Sequence, residues 1–300
     1  MKVGNVGDNR MKKILEIKNL TKYYGEVLAV DDLSLSLNEG EVFGFIGPNG
    51  AGKSTTIRSI MNLVNKNKGE VLINDEVFDK DNIELKKLIG YLSSEIYLYD
   101  DFSVREMLDY HESFYKKNIH KRRCELVKLL KLDEKKKVED LSLGNLKKLG
   151  IVLALMHEPK ILILDEATSG LDPIMQQVFY ELLEEEKKKG TTIFYSTHVL
   201  SEVSKICDRV GIIKEGKLLK VETINDLRKK NLTFVEIESL EYEKIIEDLD
   251  LKDVKNTGNI IRFRNNIEAN VLIKKLAKYK IDNILIEEAT LEDMFLHYYK

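Results

Sequence analysis

Residues 47–55 read Gly-Pro-Asn-Gly-Ala-Gly-Lys-Ser-Thr and fit the pattern G-x-x-x-x-G-K-[ST]. A strand-like run, Glu41–Ile46, precedes them and a helical run, Ser54–Val64, follows. The chain must therefore turn from strand to helix across three glycines. Such a loop leaves consecutive backbone N–H groups free to point inward at an anion. The helix N-terminus adds partial positive charge at the same place. The pattern suits a polyphosphate, cradled by the loop of Gly47, Pro48, Asn49, Gly50, Ala51, Gly52 and Thr55, with the non-proline N–H groups as donors. Lys53 is placed for the β- and γ-phosphates, and the Ser54 hydroxyl for Mg²⁺.

The surrounding pattern is α/β. Ile14–Ile17, Val42–Ile46, Val71–Ile73, Ile161–Leu164, Thr192–Ser196 and Arg209–Ile213 are short, β-branched runs, several apolar on both faces like buried parallel strands. Between 100 and 157 the pattern turns helical. Ser103-Val-Arg-Glu106 has the form of a capping box before a helix to Tyr115, and Lys121–Leu132 and Leu146–Met156 read as further helices. Asp172-Pro173 places an N-cap and an N1 proline before a helix to about Lys189, whose charge run Glu184–Lys189 reads as a solvated face. Beyond residue 225 the order β-α-β-α-β predicts a small α+β domain: strands Phe234–Ile237, Ile260–Phe263 and Ile284–Glu287, helices Tyr242–Leu249 and Asn270–Lys278. Thr290-Leu-Glu-Asp293 is expected to cap a last helix. The expected domains are thus 12–225 and 226–300. Met11-Lys-Lys-Ile reads like a second start, so 1–11 is expected to be a disordered extension.

Composition narrows the partners. Lys plus Arg number 48 against 51 Asp plus Glu, a formal charge of −3, so no polybasic excess points to nucleic acid or anionic lipid. The longest apolar runs fall far short of the ~20 residues of a membrane helix, and the first residues lack an apolar signal core. Two cysteines cannot build a disulfide framework, which suits a reducing compartment. Cys124 and Cys207 are expected to be buried and inert. His111, His120, His157 and His297 share no metal-ligand spacing and are expected at the surface or in helix packing, and Lys135–Lys137 is expected to be solvated. For Tyr298–Tyr299 two roles stay open, stabilising the small domain or a dimer.

Ile161-Leu-Ile-Leu-Asp165-Glu166 is an apolar strand ending in two carboxylates. In a parallel sheet the ligand lies beyond the strand C-termini, which puts Asp165 opposite the glycine loop. Asp165 is the natural partner of a metal-bound water, and Glu166 is placed to polarise an attacking water. These parts define a P-loop nucleotidase. A GTPase would show Asn-Lys-x-Asp, whereas Asn65-Lys-Asn-Lys68 lacks the Asp. A small-molecule kinase would not need the Glu beside the Asp.

Over residues 12–225 the chain resembles the ATP-binding cassette (ABC) family, specifically the nucleotide-binding subunit of ABC transporters. Leu141-Ser-Leu-Gly-Asn145 stands where the family has Leu-Ser-Gly-Gly-Gln. Ser169-Gly-Leu-Asp172 looks like the D-loop, Ser196-Thr-His198 like the switch histidine, and Leu20-Thr-Lys-Tyr-Tyr24-Gly like the adenine-stacking segment. The resemblance implies a mixed sheet core with a helical subdomain at about 95–157. It further implies that Tyr24 stacks on adenine, that His198 contacts the γ-phosphate, and that Ser142 and Gly144 reach the ATP of the opposite subunit, with Asp172 at the same interface. Glu166, His198 and Lys53 are the implied catalytic set, with ATP and Mg²⁺ as cofactors. Four departures stand out. Leu143 replaces a glycine, Asn145 the signature glutamine, Ala167 a proline, and Ser94 the Q-loop glutamine. Ser94 is too short to reach a metal, leaving that contact to Glu95 or a bridging water.

One phosphate loop and one signature cannot complete such a site, and there is no internal repeat. The family reading thus predicts a head-to-tail homodimer enclosing two ATP molecules. It also predicts a separately encoded transmembrane permease, docked near Ser94–Tyr99, and a cytoplasmic location peripheral to the membrane. The ending Glu-Glu-Ala-Thr-Leu-Glu-Asp-Met-Phe resembles the ABC-2-type exporters of drugs, antimicrobial peptides and sodium. Three alternatives stay open: an importer, a soluble ABC ATPase acting on ribosomes or DNA, and a regulatory cassette that hydrolyses weakly.

Overall fold

The computed structural model describes residues 12–229, 233–265 and 267–288. The chain divides between Thr223 and Ile224 into two compact units. The first comprises β1 (Lys13–Tyr24), β2 (Val27–Asn38), β3 (Val42–Ile46), α1 (Lys53–Ile60), β4 (Lys68–Ile73), β5 (Glu76–Val77), α2 (Ile83–Lys86) and β6 (Ile89–Leu92). It continues with α3 (Val104–Glu112), α4 (His120–Leu129), α5 (Leu143–Leu155), β7 (Ile161–Asp165), α6 (Pro173–Lys188), β8 (Thr192–Thr197), α7 (Leu200–Ile206), β9 (Arg209–Lys214) and β10 (Lys217–Thr223).

Its central sheet has the order β10-β9-β3-β8-β7-β6, with β10 antiparallel and the other five strands parallel. Every residue of β3, β7 and β8 is buried, which their two-sided apolar sequences require. Register then places the site. Ile46 pairs with Thr197, Asp165 with Ser196, and Leu92 with Leu164. The residues that follow these strand ends (Gly47, Glu166, His198 and Ser93-Ser94) therefore emerge along one C-terminal edge of the sheet.

The second sheet, β2-β1-β4-β5, is antiparallel. Ile14–Ile17 and Val71–Ile73 lie here rather than among parallel strands. Leu33, Leu35 and Leu37 of β2 are buried, with Ser34 exposed and Ser36 half-buried between them, the period-2 signature of a sheet covered on one face. The inner face of this sheet shares a core with β3, β7 and α1 through Ile17, Leu20, Phe43, Phe45, Ile57 and Ile163.

The helical region runs from α3 to α5. Ser103 accepts from the Glu106 backbone N–H while the Glu106 carboxylate accepts from Ser103, completing the capping box, and α3 stops at Glu112. Asp172 caps α6 ahead of Pro173. The charge run of α6 is not wholly solvated: Glu186 is 1% exposed and pairs at 2.6 Å with the buried Arg122 of α4. Cys207 is buried but Cys124 is exposed, on the solvent side of α4, with its Sγ 3.5 Å from His120 Nε2. His157 packs under Tyr115 with ring centroids 4.6 Å apart.

The second unit contains α8 (Ile224–Lys229), β11 (Thr233–Glu238), α9 (Tyr242–Asp248), β12 (Lys255–Thr257), β13 (Ile260–Asn265), α10 (Ala269–Leu276) and β14 (Asn283–Glu288). Its antiparallel sheet, β12-β13-β11-β14, buries Val235, Ile237, Ile261 and Phe263 against Ile245, Leu272 and Leu276 of the helices. The β-α-β-α-β order appears with the short β12 added. The Thr290–Asp293 cap, His297, Tyr298–Tyr299 and residues 1–11 lie outside the described residues.

Candidate functional site

The loop between β3 and α1 encloses one side of a cavity of about 630 Å³. Asn49, Gly50, Gly52, Lys53, Ser54 and Thr55 line it, with Val27, Leu28 and Ala29 of β2, Glu166, and the Glu215-Gly216 turn. Two glycines are obligatory. A Cβ on Gly47 would stand 2.3 Å from the Ile213 carbonyl oxygen, and one on Gly52, whose φ is +104°, would stand 2.6 Å from that of Ala29. Gly47, Pro48 and Ala51 shape the loop from behind. The Ala51 N–H donates to the Pro48 carbonyl, and the Ala51 carbonyl accepts from Gly216.

Lys53 is 6% exposed, and its ammonium donates to the Gly47 carbonyl at 2.8 Å and the Pro48 carbonyl at 3.2 Å. Burial pulls its pKa below the ordinary lysine value, and the charges of Glu166 and Asp165 oppose that shift. Asp165 is 1% exposed, and neither carboxylate oxygen has a hydrogen-bond partner. A buried carboxylate with both oxygens free calls for a cation or its water shell. Asp165 and the Ser54 hydroxyl fit Mg²⁺, which commonly takes one or two protein oxygens and completes its shell with water and phosphate.

Glu166 has φ +48°, a backbone conformation unusual for a non-glycine residue. Its N–H donates to the Ser196 carbonyl, and its Oε1 lies 3.0 Å from His198 Nδ1. With an ionised carboxylate as acceptor, Nδ1–H donates and Nε2 is left available. The structure thus joins the ends of β7 and β8 by a carboxylate–imidazole contact at the mouth of the glycine loop.

The other sequence-derived residues lie apart from this cavity. Tyr24, 45% exposed, pairs with Val27 of the cavity wall but does not line the cavity, and the Lys22 ammonium sits 4.8 Å above its ring. Ser142 caps α5 by accepting from Asn145, and Leu143 is 67% exposed. Gly144 packs so closely on Gly170 that an added Cβ would lie 3.1 Å from its carbonyl oxygen. Asp172 accepts from the Met175 N–H. Gly144 and Asp172 thus adjoin the Gly170 turn, and none of Ser142, Gly144 and Asp172 lines their own chain's phosphate cavity. The Ser94 carbonyl accepts from Lys147 at 3.3 Å, and the Glu95 carboxylate accepts from the Tyr97 hydroxyl.

Three features escaped sequence reasoning. Lys147, 2% exposed, donates to the Ser93 and Ser94 carbonyls and lies in electrostatic reach of Asp165 and Glu166. Glu202, four residues past His198 in α7, is buried. The Glu215-Gly216 wall carries only an ordinary hairpin signal, Glu-Gly between two strands.

A family model described as "ABC transporter" matches residues 30–169. An uncharacterised ABC transporter ATP-binding protein of Bacillus subtilis is 34% identical over 95% of this chain and 96% of its own length. The bacitracin transport ATP-binding protein of Bacillus licheniformis is 36% identical over 95% and 97%. The linearmycin resistance ATP-binding protein of B. subtilis is 37% identical over 71% and 70%. Among solved structures, the ATP-binding subunit of an ABC transporter superposes with a TM-score of 0.67 at 29% identity, over 72% of this chain and 92% of that one. A dimeric cassette in a post-hydrolysis state with ADP and Pi superposes at 0.64 and 26% identity, over 70% and 99%. The chain belongs to the ABC transporter ATP-binding proteins, a family of ATP-hydrolysing cassettes.

Proposed function

We propose that this chain is the Mg²⁺-dependent ATPase subunit of an ABC-2-type exporter, working as an ATP-bridged homodimer beneath a separately encoded permease. The observation that carries this reading is the division of its functional residues. Lys53, Ser54, Asp165, Glu166 and His198 share one edge of the central sheet, whereas Ser142 and Gly144 lie elsewhere on the same chain. A second copy, placed head to tail, supplies the missing half.

In this reading the glycine-loop N–H groups and Lys53 hold the phosphates, and Tyr24 stacks on adenine. Ser54 and Asp165 would hold Mg²⁺, which when bound would neutralise phosphate charge. Glu166 orients and deprotonates the attacking water, and the His198 Nε2 edge faces the γ-phosphate of the nucleotide. Ser142 and Gly144 engage that phosphate from across the dimer, with Asp172 beside them. A bridging water at Ser94 or Glu95 stands in for a longer side chain. Breaking the phosphate bridge lets the two copies separate, which is the motion a membrane partner uses. The cassette is taken as 12–225 and the accessory domain as 226–300.

No helix among the described residues is long and apolar enough to cross a membrane, so transport requires a partner. Tyr97, Tyr99, Tyr110 and Phe114 are 85%, 56%, 40% and 54% exposed in and beside the helical region. Tyr99, Tyr110 and Phe114 form a run of edge-to-face ring contacts. An exposed aromatic patch beside Ser94 suits docking of that partner. The exporter branch follows from the relatives named for bacitracin transport and linearmycin resistance.

Calorimetry tests the nucleotide half: Lys53→Ala is expected to lower ATP affinity at least tenfold, and parent-like affinity contradicts it. The transport half is tested by co-expression with the membrane protein of the neighbouring reading frame. The chain is expected to move to the membrane fraction with altered ATP turnover. A chain that stays soluble with unchanged turnover contradicts coupling.

A further inference from the structure

Glu202, in α7, is 5% exposed. Four hydroxyls donate to its carboxylate: Thr168 at 2.6 Å and Tyr180 at 3.1 Å to Oε1, Tyr195 at 2.8 Å and Thr197 at 2.6 Å to Oε2. The donors come from different places. Thr168 lies in the turn after β7, Tyr180 in α6, Tyr195 within β8, and Thr197 at the end of β8. Two of them adjoin the reacting centre, since Thr168 is two residues past Glu166 and Thr197 immediately precedes His198.

Burying a carboxylate is costly unless its charge is met, and here neutral hydroxyls meet it through charge-assisted bonds. Such a network has few ways to rearrange, because moving any one donor leaves buried charge unsatisfied. Burial and the neighbouring Glu202 charge push the Tyr195 phenol well above its usual range, so it remains a donor. Glu202 does not line the phosphate cavity.

We propose that Glu202 is a positioning residue, which sets the 3.0 Å Glu166–His198 contact by tying the turn after β7 to the end of β8. Its two short threonine bonds fix the backbone on which those catalytic side chains stand. The idea rests on the reading of Glu166 and His198 given above. An interior stabiliser lowers the amount of folded protein, whereas a positioning residue lowers the turnover of each folded molecule.

Threonine-to-valine changes remove a hydroxyl at nearly constant shape, and serine restores it. Thr168→Val, Thr168→Ser, Thr197→Val and Thr197→Ser are compared in the full chain with Mg-ATP. Thr168→Val is the cleaner case, because the Thr197 oxygen also accepts from the Val199 N–H. The valine variants are expected to lose about tenfold or more in kcat with KM held within about twofold, and the serine variants to recover. Valine variants with parent-like kcat, a raised KM at unchanged kcat, or serine variants as slow as valine overturn the proposal. Glu166→Gln and His198→Ala run in the same assay. If both keep parent turnover, the site reading itself fails. If both are slow while Thr168→Val is not, only the role of Glu202 fails.

Discussion

Lys53 and Lys147 are the buried lysines among the described residues, and Asp165 and Glu166 act electrostatically on both. Burial depresses each ammonium pKa, and the carboxylates counter it. Lys53 was legible because its motif dictates where its chain runs. Lys147 was not, since a lysine in a helix is ordinarily solvated, and only the tertiary approach of Ser93 and Ser94 encloses it. Glu202 was hidden for the same reason. Glu166 was singled out by its place after an apolar strand and His198 by the family resemblance, whereas their direct contact depends on strand register. His157 carries a pH prediction. Burial, followed by repulsion from His111, lowers its pKa to about 4 from the ordinary 6.5. Between these values the unfolded chain binds the proton and the folded chain does not, so stability rises with pH. The contribution is complete above about pH 6.5 and is lost as pH falls towards 4, on the order of 3 kcal/mol in all. Urea midpoints at pH 7 and 5 are expected to differ more in the parent than in His157→Phe. Equal differences contradict the assignment.

At the scale of elements, strands apolar on both faces (β3, β7, β8) were legible, because only a central position buries both sides. β2 and β10 were overlooked. The Leu33-Ser-Leu-Ser-Leu37 alternation marks β2 clearly, but its antiparallel sheet is a layer that parallel-strand reasoning does not supply. The length of α3 was overrun by one turn, since nothing local stops a helix at Glu112. The strand–loop–helix element at 42–60 yields a paired prediction. Gly47→Ala forces its Cβ against the Ile213 carbonyl and is expected to abolish ATP binding, whereas Gly50→Ala meets no atom within 4 Å. The latter strains a φ of +78°, costing about 1–2 kcal/mol. Calorimetry and urea midpoints check both. Parent-like binding in Gly47→Ala contradicts the steric account.

At the scale of the whole molecule, the first unit carries only half of the proposed active site. In the proposed reading its own chain would provide the phosphate loop, the metal oxygens, the base and the switch histidine. The α5 N-terminus, with Ser142 exposed and Leu143 two-thirds exposed, does not line their cavity. The proposal of a second copy comes from the single signature and single loop in the sequence. The proposed docking surface was only a region in the sequence, and the aromatic run from Tyr99 to Phe114 gives the proposal a specific patch to test. In the proposed cycle ATP joins two copies, and Glu166 drives the hydrolysis that releases them. The direct measurement is the molar mass of Glu166→Gln by light scattering with and without Mg-ATP, beside its ATP turnover. A dimer with ATP, a monomer without it, and turnover lowered about a hundredfold or more are expected. A monomer at saturating ATP, or turnover equal to the parent, contradicts the cycle.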